Sequence, residues 1–122
     1  MLDFIFYAFK TELSPHYVEM SEEVYEWLAK SEVSKIGKSV PRNILIDEEE
    51  EELPLVELNQ EIRHQFKKIF SEAIISESDV VLTKLGDYPS KEEYQSGTYR
   101  LRKMLELLKC VENENYQYLQ RI

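Results

Sequence analysis

The spacing of apolar and polar positions divides the chain into short segments, each with its own period. Residues 2–9 form an apolar and aromatic run without a helix cap, which predicts a strand buried on both faces or nearly so. Residues 22–30 follow a serine cap and place Val24, Trp27 and Leu28 on one face, which predicts a helix. Both segments supply apolar side chains to one core.

Two longer segments carry helical periodicity. From Pro54 to about Ile75, apolar residues recur at steps of three and four, and proline suits the first position of a helix. The second segment begins at Ser90, which forms a capping-box pair with Glu93. Because glycine weakens a helix, Gly97 predicts that this helix begins later or bends there.

The remaining segments are shorter. Residues 43–46 and 79–84 are each predicted to form a short strand, and residues 31–42 a polar loop. Residues 115–122 alternate in part, with Tyr116 and Tyr118 on one face, and predict a closing strand that pairs with the N-terminal one. A frayed tail is the alternative.

Together these elements predict an α+β fold. We expect residues 1–122 to form a single small globular domain of three helices packed on a small sheet of two to four short strands. An acidic loop is expected at residues 47–53.

Length and composition agree with one globular domain, since the chain has 122 residues, of which 43% are hydrophobic and 11% aromatic. Its one cysteine, Cys110, is predicted to be a buried reduced thiol. With two histidines and no metal-ligand spacing, we expect no metal and no cofactor. The N-terminus lacks a basic region, and no apolar run approaches the roughly 18 residues of a membrane span. We therefore expect a cytoplasmic protein without a membrane partner.

Charge is the feature that changes this picture. The net charge is −9, and residues 47–61 hold eight acidic and no basic side chains. The rest of the chain is close to neutral, with sixteen acidic against fifteen basic side chains. The candidate partner-binding residues are the eight carboxylates of this segment, Asp47, Glu48, Glu49, Glu50, Glu51, Glu52, Glu57 and Glu61.

Two interpretations of this acidic segment are open. A run of carboxylates creates a field that steers a basic partner and speeds association. Alternatively, the glutamates before a helix that begins near Pro54 stabilise its N-terminus through the helix dipole, or form a solvated loop. An acidic balance argues against direct nucleic-acid binding in either case.

Catalytic and nucleotide motifs are incomplete. Gly37-Lys38-Ser39 matches the end of a phosphate-binding loop, but Glu32 stands where the pattern needs its first glycine. Glu61 and His64 form one E-x-x-H pair, whereas di-iron helix bundles need two. No nucleophile–base–orienter pattern is present, so we expect no catalytic residues and no enzymatic activity.

A small acidic protein with many aromatics and no catalytic motif resembles, in composition alone, bacterial toxin-immunity proteins and phage-encoded inhibitors. We therefore expect an inhibitor or immunity-type protein that occludes a basic partner, either nuclease-like or nucleic-acid-binding. The alternatives are a regulatory or assembly subunit without an inhibitory role, such as a homodimer, and an inhibitor that mimics nucleic acid.

Overall fold

The computed structural model describes residues 2–8, 15–46 and 48–121 of the chain. This part of the chain forms five β-strands, four α-helices and a 3₁₀ turn at Glu32–Lys35. The strands are β1 (Leu2–Ala8), β2 (His16–Met20), β3 (Val40–Ile46), β4 (Glu49–Glu57) and β5 (Tyr116–Arg121). The helices are α1 (Glu22–Lys30), α2 (Gln60–Leu85), α3 (Lys91–Gly97) and α4 (Tyr99–Glu112).

The described strands form one antiparallel sheet in the order β2-β1-β5-β4-β3. The predicted closing strand is confirmed, because β5 pairs with β1 along Phe4↔Arg121 to Ala8↔Tyr116. The register shifts at the last pair, so Tyr116 packs against the larger hydrophobic cluster and Tyr118 against the smaller one. The prediction that these two tyrosines share a face is therefore wrong.

The sheet has a hydrophobic cluster on each face. Phe4 and Phe6 of β1 belong to the larger cluster, which the helices cover. Ile5 and Tyr7 point the other way and pack with Leu55 in the smaller cluster. All four β1 side chains are buried, which confirms a strand buried on both faces.

The predicted α+β class is confirmed, although the described residues form more helices and strands than expected. The helix predicted from Pro54 starts at Gln60, where the Asn59 side chain accepts from the Ile62 amide at 2.9 Å. Residues 49–57, including most of the predicted acidic loop, form strand β4 instead. Leu55 fits the three-residue step to Leu58 of a helix and the two-residue step from Leu53 of a strand, and the ladder with β3 decides for the strand.

The strand predicted at residues 79–84 is also wrong, because this segment is the last part of α2. The helix has no breaker before Gly86, which ends it with φ 64°. Residues 31–42 were predicted as a polar loop, but they contain the 3₁₀ turn and the start of β3. Strand β2 was not predicted at all.

The local helix signals are confirmed. Ser21 caps α1, and Ser90 and Glu93 form the reciprocal capping box of α3. The break expected at Gly97 separates α3 from α4. A Cβ atom at Gly97 would lie 3.1 Å from the side chain of Leu85, so the small residue also lets α3 approach α2. In the described part of the chain, no helix combines the length and apolar composition that crossing a bilayer requires.

Candidate functional site

The acidic segment forms the far end of a β-hairpin made by β3 and β4, which we call the acidic hairpin. Ile46 pairs with Glu49, so residues 47 and 48 make the connection. Asp47, one of the predicted site residues, lies outside the described residues. Glu48 has φ 67°, and it is the one non-glycine residue of the described chain in this left-handed region.

Glu48 to Glu52 lie together at this end, and we call them the acidic tip. Glu49 and Glu51 share one face of the hairpin, while Glu50 and Glu52 share the other, since successive side chains of a strand alternate. All five are exposed. Across residues 2–8, 15–46 and 48–121, no ion pair neutralises any of them. The tip therefore keeps its charge facing water.

Glu57, also predicted as a site residue, lies at the base of the hairpin and is paired within the chain. An Arg42 guanidinium nitrogen lies 3.3 Å from its carboxylate. The same guanidinium lies over the Tyr118 ring, 5.4 Å from its centroid. These contacts fix the base of β3 to β4 and β5, so Glu57 supports the hairpin and is not part of the tip.

Glu61, the last predicted site residue, lies on a separate element, in the first turn of α2. An acidic side chain there interacts favourably with the helix dipole. The same explanation fails for the acidic tip, because the helix begins at Gln60 and the strand residues of β4 separate the tip from it. The structure therefore brings together five of the eight predicted residues and separates Glu57 and Glu61 from them.

The smaller hydrophobic cluster lies beside the hairpin. Its Tyr7 hydroxyl donates to Gln120 Oε1 at 2.6 Å. Burial raises the pKa of Tyr7 to about 12, and the negative charges of Tyr17 and Glu51 add to the effect. Strand alternation places Glu49 and Glu51 on the same face of β4 as Leu53 and Leu55, so one face of the acidic tip continues into this cluster.

The most enclosed charge of the described chain is Arg63, which sequence reasoning missed. Its Nε donates to the Leu58 carbonyl at 2.8 Å, and Nη1 donates to the carbonyls of Val111 and Asn113 at 2.7 and 3.0 Å. Nη2 donates to the Tyr116 carbonyl. One guanidinium thus ties the end of β4, the end of α4 and the start of β5. The signal in the sequence is its place on the same helical stripe as the core phenylalanines of α2.

Arg121 does similar work at the other end of β5. Its Nη1 donates to the carbonyls of Val33 and Ile36, both at 2.9 Å, and Nη2 lies 3.4 Å from the Gly37 carbonyl. Burial lowers the pKa of this guanidinium, and the carbonyl bonds compensate for its lost hydration. The contacts join β5 to the segment that leads into β3.

The surroundings of Gly37 explain why the Gly-Lys-Ser sequence begins with glycine. Its φ is 70°, and a Cβ atom there would lie 2.6 Å from Cγ1 of Val56 in β4. The glycine lets the backbone turn against the base of the hairpin. Packing therefore accounts for it without a phosphate ligand.

A small polar cluster joins β2 to α4. His16 Nε2 lies 3.3 Å from Glu106 Oε1, and Lys103 Nζ lies 3.5 Å from the other carboxylate oxygen. Cys110 follows one turn later on α4 and is buried, as predicted. Burial raises the pKa of its thiol to about 11, with Glu106 adding to the shift, so the thiol is protonated and a poor nucleophile near neutral pH.

Among the described residues, no group of three or more His, Cys, Asp or Glu side chains is arranged to hold a metal ion. Searches against protein-family models, curated proteins and solved structures find no match for this chain. The acidic tip is thus the candidate site that geometry and charge single out.

Proposed function

We propose that the protein binds a basic protein partner through the acidic tip and blocks the surface that the partner uses on its own substrate. This is the action of an inhibitor or immunity-type protein. The observation that supports it most strongly is the placing of Glu48–Glu52, which are exposed and have no ion-pair partner in the described chain.

Electrostatics explains what such a tip does. Neighbouring carboxylates on each face of β4 are spaced by about 7 Å along the strand and repel one another, and a partner's Lys and Arg side chains relieve that repulsion. The field extends about one Debye length, roughly 8 Å at physiological salt, so it acts mainly on encounter and orientation. We expect the association rate to depend steeply on salt and the dissociation rate to depend on it less.

The hairpin also provides a firm support for this charge. The Arg42 contacts to Glu57 and Tyr118 hold its base, and Leu55 is fully buried in the smaller cluster. A partner therefore does not have to order a mobile loop, which lowers the entropic cost of association.

The first experiment captures partners on the immobilised protein from the native host and then measures association rates with each purified partner. The test variant changes the four β4 glutamates of the tip to glutamine. A matched control makes four Glu→Gln changes on other elements, at exposed positions without an ion pair among the described residues, Glu19, Glu26, Glu72 and Glu92.

We expect the tip variant to associate at least about tenfold more slowly at low salt and the control to change less than about threefold. The partner should also lose its substrate when the wild-type protein binds. Equal rates for both variants, or a partner that keeps its substrate in the complex, would contradict the proposal and favour an assembly or regulatory subunit.

A further inference from the structure

We propose that the outer edge of β3 receives an extended basic segment of the partner, which adds to the sheet as a further antiparallel or parallel strand. This inference rests on the proposed function and specifies how the partner is recognised. The edge itself is an observation independent of charge, because it concerns backbone donors and acceptors.

The edge is open within the described structure. Strand β3 stands last in the sheet order, with β4 on one side and no described strand on the other. Exposed strand edges are ready templates for pairing with another chain.

The prolines of the hairpin reveal which backbone groups face outward. Pro41 pairs with Pro54, and neither has an N–H, so this must be a pair without hydrogen bonds between its members. In an antiparallel ladder the two kinds of pair alternate. The N–H and C=O groups of Asn43 and Leu45 therefore point away from β4, toward the open edge.

Apolar surface lies along the same edge. Leu45 is 51% exposed and Val40 is 41% exposed, on opposite faces of β3. An added strand would cover apolar area on both faces while it pairs with the backbone of Asn43 and Leu45.

Charge complementarity indicates which kind of chain pairs with the open edge of β3. A second copy of this chain would bring another net charge of −9 to the edge, and in parallel pairing it would also place two acidic tips side by side, which like-charge repulsion opposes. A segment with Lys or Arg on both faces would instead lie two strand spacings, about 10 Å, from β4, a gap that a long cation and a glutamate side chain span together. Because Glu49 and Glu51 lie on one face and Glu50 and Glu52 on the other, basic side chains of both strand faces would find carboxylates.

The test uses a synthetic nine-residue peptide in which lysines and valines alternate in pairs, so that both faces of the extended strand carry lysine. Its matched control is the same peptide methylated on the backbone nitrogens of its central residues, which keeps every charge and removes strand donors on both edges. Affinity is measured by fluorescence anisotropy at low salt. Amide hydrogen exchange of Asn43 and Leu45 is followed with and without peptide.

Two variants of the protein complete the design. Leu45→Pro removes an outward N–H and keeps the ladder with β4, as Pro41 already does in the same register. Leu45→Ala shortens the same side chain and retains the N–H. Circular dichroism establishes that each variant is folded, and the methylated peptide tests the inference with the unaltered protein.

We expect methylation of the peptide and Leu45→Pro each to weaken binding by about tenfold or more, and Leu45→Ala by about twofold to threefold. The amides of Asn43 and Leu45 should exchange more slowly when the peptide is bound. Equal binding of both peptides, or no binding of the unmethylated one, would overturn strand addition.

The two proposals fail in different ways. If both peptides bind equally and the four-glutamine variant binds neither, strand addition is wrong while the charge-based function stands. If binding is indifferent to the four glutamines, the proposed function is contradicted as well.

Discussion

Two regions of the described chain hold charge that no ion pair neutralises. One is Arg63, which lies beside the end of α4, and the other is the acidic tip at the end of the β3–β4 hairpin. Around Arg63, backbone carbonyls from three elements replace water. At the tip, water itself solvates five exposed carboxylates. The charge of Arg63 is used in hydrogen bonds that stabilise the fold, whereas the charge of the acidic tip remains available to bind another molecule. The surroundings of a charge therefore distinguish a structural role from a binding role better than its sign or number does.

Among the substitutions that test this contrast, Arg63→Met is expected to have the largest effect on stability. The change keeps much of the side-chain bulk but leaves several buried carbonyls without a donor. We expect the free energy of unfolding in urea to fall by about 3–5 kcal/mol. Lys68→Met, at an exposed position of the same helix, should change it by less than about 0.5 kcal/mol. A loss below about 1 kcal/mol for Arg63→Met would mean that the carbonyl bonds do not stabilise the fold.

The next largest effect on stability is expected for Gly37→Ala, because Gly37 lies against the base of the β3–β4 hairpin. The new methyl group would meet Val56 at 2.6 Å in a left-handed backbone conformation. We expect a loss of about 2–4 kcal/mol in thermal or urea unfolding. Gly86→Ala provides the control, because its φ is 64° and its Cβ would meet no atom within 4 Å. Its ψ of −154° lies in a region nearly restricted to glycine, so alanine there should cost about 1–3 kcal/mol from the backbone alone, and a loss at Gly37 no larger than the loss at Gly86 would contradict the close contact with β4.

A third test follows the stability of the protein at alkaline pH, where the buried thiol of Cys110 titrates. Burial raises the pKa of Cys110 from 9.0 to about 11, so the fold favours the neutral thiol. That stabilisation is complete below about pH 9 and is lost as the pH rises toward 11, amounting to about 2 kcal/mol. Tyr7, with its pKa raised to about 12, adds a further loss above pH 10.

Cys110→Ala removes the thiol from this titration. Urea unfolding measured between pH 8 and pH 11 should then show a shallower decline in stability than the wild-type protein shows. Parallel declines for the two proteins would mean that the Cys110 thiol does not contribute to alkaline destabilisation.

The smallest expected effect lies at the acidic tip. Glu48→Gly places glycine at the one described non-glycine position with positive φ, and it should raise the free energy of unfolding by about 0.5–1 kcal/mol. Glu50→Gly, in the extended part of β4, should lower it by a similar amount. A loss of stability in Glu48→Gly would show that the Glu48 side chain makes a contact that outweighs the backbone cost.

Local signals in the sequence predicted the elements that local physics determines. The caps at Ser21 and Ser90, the break at Gly97 and the buried run of β1 all concern neighbouring residues, and the structure confirms them. The start of α2 was misplaced because the choice between strand and helix around Leu55 depends on β3, which lies apart from it in the sequence.

The sequence predicted which carboxylates cluster at the candidate site, but not how their side chains are arranged on the hairpin. Composition alone located the carboxylates of the tip, since five of them are consecutive. Their division between two faces of a hairpin follows from pairing with β3, which residue types alone do not specify. Arg63 was missed because arginine is presumed exposed, although it precedes Phe66 and Phe70 on the buried stripe of α2.

The position of β5 has a consequence for protein synthesis. It is the middle strand of the described sheet, yet it is the last of the five to leave the ribosome. Until it emerges, β1 and β4 have no strand to join them, and the edges that pair with β5 stay without a partner. The Tyr7–Gln120 hydrogen bond spans 113 residues, so closing the sheet requires a long loop closure. The described sheet therefore closes only after translation has passed residue 121, and a ribosome-bound chain that has not yet exposed β5 carries two unpaired strand edges.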